Sequence, residues 1–534
     1  MTSGPADASG PGSSDTPAEG HAEEHAEERM LRPVLLAATF TIAAAGLGYE
    51  LVAGAASSYL LGDSITQFSL VIGLFMTAMG IGAWASRHVT RLENGFASAQ
   101  VVLALAGGFS APALFWAFAH TEAYEAVLLL VCLVAGALVG LEIPLVTRIL
   151  QRRGALARNL SDVLALDYIG ALVAALAFPL VLAPELGLIG AGLLMGLLNI
   201  AVAWVAIVMF GARVDGWVKV MALGVTAALG IGFAQTQSMT AAIESKLHAD
   251  EVVLTTETPY QRLTLTRSGE RWRLFLNGGL QFDTSDEHRY HEALVHPVML
   301  TAPRVGEVLI LGGGDGMAVR EVLRHEGVER ITLVDLDPEM TRLFRDHDVL
   351  STLNGGALND PRVEVISADA WNFLREDGPL YDVIIADLPD PRTLALSKLY
   401  SREFYTDMAR RLSATGLFVT QATSPLFARE AYWTIEATLA ATADPVVPGR
   451  TLATLTYHAQ VPSFGPWGFV MAGGRIAPEP SRVLPEGLRF LTPAVLSGLS
   501  DFPADMARLP AEPNSITDHP LQRLYREGWD AWYD

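Results

Sequence analysis

Long apolar runs fill the chain between Pro33 and about Gln235. Seven can be counted, near residues 33–60, 64–86, 97–119, 123–149, 162–183, 187–210 and 216–235. Each is as long as the roughly 20 residues with which an α-helix crosses a hydrocarbon core of about 30 Å. The pattern predicts a seven-helix transmembrane domain over residues 33–236. The preceding residues 1–32 are acidic and poor in apolar side chains, so they are predicted to be a disordered tail.

Two glycine pairs inside the apolar runs are spaced four residues apart, which favours close helix packing. They are Gly136 with Gly140 and Gly192 with Gly196.

Three acidic residues, Glu50, Glu142 and Asp167, lie inside or near the same runs. Carboxylates are costly in a bilayer and usually face the interior of a helix bundle. Two interpretations stay open: a path or sensing site for cations, or pairing with Arg148 or with helix backbone.

The pattern changes to short apolar stretches after residue 250. Residues 237–250 are predicted to be a linker with a short amphipathic helix, and residues 251–284 a small antiparallel β unit. Strands near 307–311, 331–335, 362–367, 381–387 and 415–421 then alternate with helices. This alternation predicts a doubly wound, Rossmann-like sheet of the methyltransferase type over residues 285–475. The Pro-rich residues 476–534 are predicted to be a partly helical tail that packs on this domain.

A glycine-rich turn, Gly312-Gly-Gly-Asp-Gly316, follows the first strand of the predicted sheet. Asp335 and Asp337 follow the next strand. Open α/β sheets bind ligands at these strand ends, where glycines permit close approach and an acid accepts hydrogen bonds from ribose hydroxyls. The turn therefore indicates a nucleoside ligand.

Composition narrows the class of ligand. The net charge of −21 argues against nucleic acid and suits cationic small molecules. The mean hydropathy of +0.31 fits a chain that contacts a lipid bilayer. The single cysteine, Cys132, gives no disulfide framework and no thiolate metal cluster, and no metal site is predicted.

Ordered motifs over about 251–473 resemble those of the spermidine synthase (polyamine aminopropyltransferase) family, in its membrane-embedded branch. The motifs are Tyr260-Gln261, the segment from Gly279 to Glu292, the turn at 312–316, Val334-Asp-Leu-Asp337, Asp360-Pro-Arg362, Asp369-Ala370, Asp387-Leu-Pro-Asp-Pro391 and the segment 399–405. The resemblance implies transfer of an aminopropyl group from decarboxylated S-adenosylmethionine, a co-substrate, to putrescine or a related diamine. It implies no further cofactor, and a homo-oligomer is compatible with it.

The resemblance also implies roles for individual residues. Asp387 matches the base that takes the proton of the attacking amine. Further substrate contacts are implied at Asp315, Asp390, Tyr290, His291 and Gln281. Donor contacts are implied at Gln261, Gly312, Gly313, Gly314, Asp335, Asp369 and Ala370. Simpler roles stay open for several of them, because Asp335, Asp337 and Asp369 are also placed to cap helices.

Two departures from the family pattern concern the acceptor amine. Phe464 stands where the family often has a tyrosine, and Arg392 follows the Asp-Pro motif near the predicted acceptor pocket. Two other functions stay open: a polyamine sensor or transporter with a ligand-binding synthase-like domain, and another adenosyl-group transferase.

Loop charges predict an orientation in a bacterial-type inner membrane. Arg and Lys cluster in alternate loops, which places the N-terminus in the cytoplasm. With seven spans the synthase-like domain would lie outside, whereas its metabolites are cytosolic. Three explanations would resolve this conflict: a span count that differs by one, a failure of the positive-inside rule, or a domain that faces outward.

Overall fold

The computed structural model describes residues 17–61, 64–121, 123–151, 156–247, 250–477 and 482–532. The chain divides into two compact units, Met1–Leu247 and His248–Asp534. The α-helices of the first unit are α1 (Pro17–Leu61), α2 (Ser64–Ala85), α3 (Leu92–Gly108), α4 (Ser110–His120), α5 (Tyr124–Gln151), α6 (Leu156–Ala177), α7 (Ala183–Phe210), α8 (Gly216–Ala234) and α9 (Thr236–Leu247).

Every predicted apolar run is helical, but the runs are not seven separate helices. Among the described residues, five helices are long and apolar enough to cross a bilayer. They are Arg32–Leu61, Ile65–His88, Tyr124–Gln151, Leu160–Arg213 and Gly216–Ala234. The pair α3 and α4, bent by 42°, adds a sixth if it counts as one span. The runs at 162–183 and 187–210 belong to one 54-residue element.

That 54-residue element turns back on itself. A straight helix of this length would extend about 80 Å, far beyond one crossing of about 30 Å. Gly187 breaks the helical geometry, with φ 65° and ψ 175°. On one side of the break, Gly170 packs so closely on α1 that an added Cβ would lie 2.3 Å from the carbonyl oxygen of Phe40. On the other side, Met195 packs on Gly48, eight residues further along α1.

The predicted disordered tail is wrong over residues 17–32, which form the first turns of α1; residues 1–16 lie outside the described part. This stretch is rich in Ala and Glu, which have high helix propensity, and Pro17 suits the first helical position.

The glycine pairs pack as predicted. A Cβ at Gly140 would lie 2.0 Å from the carbonyl oxygen of Met79, and a Cβ at Gly196 would lie 2.9 Å from that of Ala104. The α5–α2 and α7–α3 contacts are therefore possible only because these positions have no side chain.

Of the interpretations left open for the buried acids, pairing with Arg148 is not what the described contacts show. Arg148 donates to the backbone carbonyls of Ser86 and Val89, at 2.7 and 3.1 Å. It therefore stabilises the segment that follows α2. Oε1 of Glu142 is buried without a hydrogen-bond partner among the described residues.

The second unit contains two sheets. Strands β1 (Glu251–Glu257), β2 (Arg262–Ser268), β3 (Arg271–Leu276) and β4 (Gly279–Asp283) form an antiparallel meander. The larger sheet has the order β10-β11-β9-β8-β5-β6-β7. Its strands are β5 (Glu307–Gly312), β6 (Arg330–Asp335), β7 (Val363–Ser367), β8 (Tyr381–Asp387), β9 (Leu412–Gln421), β10 (Ala453–Val461) and β11 (Gly465–Gly473). Strands β5 to β9 are parallel and β10 and β11 antiparallel, which confirms the doubly wound sheet.

Helices cover both faces of the larger sheet. They are α10 (Glu287–Thr301), α11 (Met317–Val322), α12 (Pro338–Asp346), α13 (Asp348–Leu353), α14 (Ala370–Arg375), α15 (Leu394–Ser397), α16 (Arg402–Arg410), α17 (Arg429–Ala440), α18 (Pro493–Gly498) and α19 (Pro520–Asp530). The C-terminal helix α19 packs on α17, where a Cβ at Gly528 would lie 2.7 Å from Cα of Ala428.

Candidate active site

The candidate site lies where the strand order of the larger sheet reverses. The chain proceeds from β5 outward to β6 and β7, and then returns to place β8 on the other side of β5. In an open α/β sheet, this switch point leaves a crevice at the carboxyl ends of the strands. Gly312 at the end of β5 pairs in register with Asp387 at the end of β8. The glycine-rich turn and Asp387 are therefore neighbours through the sheet itself.

The glycines of the turn are required by close approach. Gly312 has φ 77°, and a Cβ there would lie 2.1 Å from the carbonyl oxygen of Asp387. A Cβ at Gly313 would lie 3.1 Å from Oδ2 of Asp387, and one at Gly314 2.7 Å from Oδ2 of Asp335. Side chains here would displace both carboxylates.

Asp387 is buried and makes a short hydrogen bond to Tyr290 of α10. The Tyr290 hydroxyl donates to Oδ1 of Asp387 at 2.6 Å. Burial raises the pKa of Asp387 to about 6. The charge of Asp315 adds to this shift, whereas the charge of His291 and the hydrogen bond from Tyr290 oppose it. A carboxylate with a raised pKa accepts a proton from an amine more readily than an exposed one does.

His291 is a buried cation held by Glu287, one turn earlier on α10. Nδ1 of His291 lies 2.9 Å from both Oε2 and the backbone carbonyl oxygen of Glu287. Burial alone would lower the pKa of His291, but its hydrogen bond to Glu287 and the charge of that carboxylate raise it to about 9. Arg320 donates to Glu287 at 2.9 Å. Although burial acts the other way, His291 and Arg320 together hold the pKa of Glu287 at about 2.

Asp315 is a second acid close to His291, beside Asp387. It is buried, and its Oδ1 accepts the backbone N–H of Met317 at 2.9 Å. Burial raises its pKa, against the opposing charge of His291. Asp315 and Asp387 thus share one neighbouring imidazolium, which favours their ionised forms.

Asp390 lies three residues after the end of β8 and is also buried. Oδ1 accepts from Nε2 of Gln421 at 3.2 Å, and Oδ2 accepts from the hydroxyl of Tyr525 at 2.9 Å. Burial raises the pKa of Asp390, while the charge of Arg392 and both hydrogen bonds oppose the shift. The positive charge of Arg392, noted above as a departure from the family pattern, therefore acts on Asp390.

Asp335 faces the glycine-rich turn. Its Oδ2 accepts the N–H of Gly314 at 3.0 Å and its Oδ1 that of Asp337 at 2.8 Å. Burial raises its pKa to about 6, despite these two backbone donors. Asp337, in contrast, caps α12 by accepting the N–H of Glu339, and it also accepts from Gln261 at 3.0 Å.

The remaining predicted residues are placed as follows. Asp369 caps α14 by accepting the N–H of Asn372, and Ala370 begins that helix. Gln281 is half-buried on β4. The ring of Phe464 packs against that of Tyr290 at a centroid distance of 6.3 Å.

Sequence reasoning missed four residues that hold the site together: Glu287, Arg320, Gln421 and Tyr525. Glu287 could have been found, because it lies four residues before His291 on a predicted helix, at the spacing of neighbouring side chains. The other three come from distant segments and reach the site only through the fold.

Comparisons with known proteins all point to the same protein family. Residues 287–469 match the model of the spermine/spermidine synthase domain. A polyamine aminopropyltransferase of Leptospira interrogans is 41% identical over 507 residues, covering 94% of this chain and 100% of the relative. Polyamine aminopropyltransferase 2 of Ralstonia nicotianae is 45% identical over 507 residues, covering 93% and 98%. A crystal structure of spermidine synthase from Thermotoga maritima covers 47% of this chain and 84% of its own, at 26% identity and a TM-score of 0.41. The coverage of the first two relatives includes most of the apolar N-terminal helices.

Proposed function

This chain belongs to the polyamine aminopropyltransferase family, and we propose that it transfers an aminopropyl group from decarboxylated S-adenosylmethionine to putrescine or a related diamine. The products are then spermidine and methylthioadenosine. The observation that carries this proposal is the buried hydrogen bond between Tyr290 and Asp387, with Asp315 and His291 beside it.

We propose Asp387 as the general base. An alkylamine keeps its proton to about pH 10, so its lone pair must be freed before it can attack. As the nitrogen bonds to the carbon beside the sulfonium, the carbon–sulfur bond breaks and its electron pair goes to sulfur. The proton passes to Asp387. Alignment of amine and donor supplies much of the rate, because neither a metal nor a covalent enzyme intermediate is needed for this displacement.

The other carboxylates are proposed to bind ammonium groups. Asp390 holds the reacting amine and Asp315 binds a substrate ammonium, with Tyr290, His291 and Gln281 as further contacts. The three buried carboxylates outnumber the two neighbouring cations, His291 and Arg392, and this excess of negative charge supports a polycationic substrate.

The donor is proposed to lie along the glycine-rich turn. Asp335 accepts from the ribose hydroxyls, and Gly312, Gly313 and Gly314 let the ligand approach the backbone. Gln261, Asp369 and Ala370 line the remaining donor side, and Asp369 caps α14 as well as accepting from the adenine amino group. Asp335 is held by two backbone donors, so its carboxylate is oriented before a ligand binds.

Purified full-length protein should convert decarboxylated S-adenosylmethionine and putrescine into spermidine and methylthioadenosine in equal amounts. Mass spectrometry of the products checks this. S-adenosylmethionine itself is the control, and it should give no methylated amine. Polyamine binding without methylthioadenosine would contradict catalysis and favour a sensor or transporter.

We also propose that the first unit lies in a lipid bilayer, supported by its five or six helices of sufficient length and apolarity. Because the donor is a cytosolic metabolite, we expect the catalytic unit on the cytoplasmic face. Cys132 is the single cysteine of the sequence and is buried, so Val483→Cys would give a unique reactive thiol at an 89% exposed position. A membrane-impermeant maleimide should label it only after cell lysis; labelling of intact cells would favour the outward orientation that loop charges predict.

A further inference from the structure

The C-terminal helix α19 reaches the candidate active site from outside the matched synthase domain, which ends at residue 469. Tyr525 of this helix is buried and donates its hydroxyl to Oδ2 of Asp390 at 2.9 Å. Gln421 donates to the other oxygen, so Asp390 is held between a strand of the sheet and a helix of the C-terminal tail.

Aromatic packing fixes the position of α19. The ring of Trp529 packs against Phe427 at a centroid distance of 5.0 Å and against Trp467 at 6.5 Å. Trp467 in turn packs against Phe464 at 5.2 Å, and Phe464 contacts Tyr290. Helix α19 is therefore connected to the site by a series of aromatic contacts, from Trp529 to Tyr290, as well as by the Tyr525 hydroxyl.

The same helix also contacts the loop that follows Asp390. Nε2 of Gln522 donates to the carbonyl oxygen of Arg392 at 3.3 Å. Arg392 is close enough to Asp390 for its charge to act on that carboxylate. Helix α19 thus constrains both Asp390 and the cation beside it.

We propose that Tyr525 is a positioning residue for the acceptor amine: its hydroxyl orients the Asp390 carboxylate, so acceptor binding depends on a helix beyond the synthase domain. This inference rests on the proposed function, in which Asp390 holds the reacting amine.

The pH dependence of amine binding should follow the pKa of Asp390, which the surrounding groups set. Burial raises its pKa, and Arg392, Tyr525 and Gln421 oppose the shift. Tyr290 and Tyr400 are also close enough to interact with its charge. Loss of the Tyr525 hydroxyl should raise the pKa of Asp390 further. The carboxylate would then be protonated at a higher pH, and amine binding would be lost sooner as the pH falls.

The test is Tyr525→Phe in the full-length protein, which keeps the ring and removes the hydroxyl. We expect the KM of the acceptor to rise about tenfold, the effect of losing one hydrogen bond to a charged group. The KM of the donor and kcat should stay within about threefold, as expected when only ground-state binding of one substrate is weakened. The pH at which kcat/KM for the acceptor declines should move upward. Arg523→Gln, an exposed change on the same helix, should alter none of these values.

The outcomes are distinguishable. A wild-type protein that forms no aminopropylated amine overturns the proposed function and, with it, this assignment. An active wild type with an unchanged acceptor KM and pH profile in Tyr525→Phe overturns the role of Tyr525 alone. Equal losses for donor and acceptor together with a lower Tm would show a purely structural role, and would also overturn the proposal.

Discussion

Replacing Asp387 by asparagine should lower kcat about 1,000-fold, within the range that a general base contributes. The amide has nearly the same shape and can still accept the Tyr290 hydroxyl, but it cannot take the proton of the amine. Methylthioadenosine should bind within a few fold of wild type, because the turn and Asp335 are unchanged. Steady-state turnover and equilibrium binding measure the two effects separately.

A matched control lies on the same strand. Asp382 is also buried on β8, but near its other end, where it accepts from the N–H of Gly306 at 3.1 Å and the hydroxyl of Ser413 at 3.0 Å. Asp382→Asn makes the same chemical change away from the crevice and should leave kcat nearly unchanged. Undiminished turnover in Asp387→Asn would remove Asp387 as the base.

Replacing Glu287 by glutamine should move the acid limb of the pH–rate profile upward by about one unit, the size expected when one neighbouring charge is lost. In the wild type, Asp387 acts as a base only when ionised, so turnover should fall as the pH decreases through about 6. Without the Glu287 carboxylate, the pKa of His291 falls from about 9, because burial is then opposed only by the charges of Asp315 and Asp387. As His291 loses its proton, Asp387 loses the positive charge that lowers its pKa, and that pKa rises.

The control for Glu287 is on the same helix. Glu292 is a buried acid whose carboxylate accepts backbone N–H groups of residues 489, 490 and 491 at 2.7–2.9 Å. Glu292→Gln should lower the Tm by weakening this attachment, but should leave the acid limb in place. If both variants keep the wild-type pH profile, the charge of His291 does not tune Asp387.

The strands of the second unit were predictable because a buried parallel strand is a continuous apolar stretch. Every residue of β8 is buried, and the sequence places its last residue, Asp387, at the edge that binds ligands. Asp315 and Asp335 were found by the same argument, since each follows the apolar residues of a strand.

The hydrogen bonds that other segments make to the acids of the site could not be predicted in the same way. Tyr525 meets Asp390 across 135 residues of sequence, and no local pattern marks such a contact. In the first unit, hydropathy reports only length and apolarity, so it did not show the break at Gly187 or the 42° bend between α3 and α4. Arg148 likewise donates to the backbone carbonyl of Ser86, 62 residues earlier, and no sequence spacing predicts that contact.

The most direct test compares putrescine with butylamine, which has the same carbon chain and only one amine. If the buried carboxylates form a site for a diamine, kcat/KM should be about 100-fold higher for putrescine, since one buried charge-assisted contact is lost with the monoamine. Methylthioadenosine release with each amine at saturating decarboxylated S-adenosylmethionine gives this ratio. Equal values for the two amines would contradict a site built for a dication.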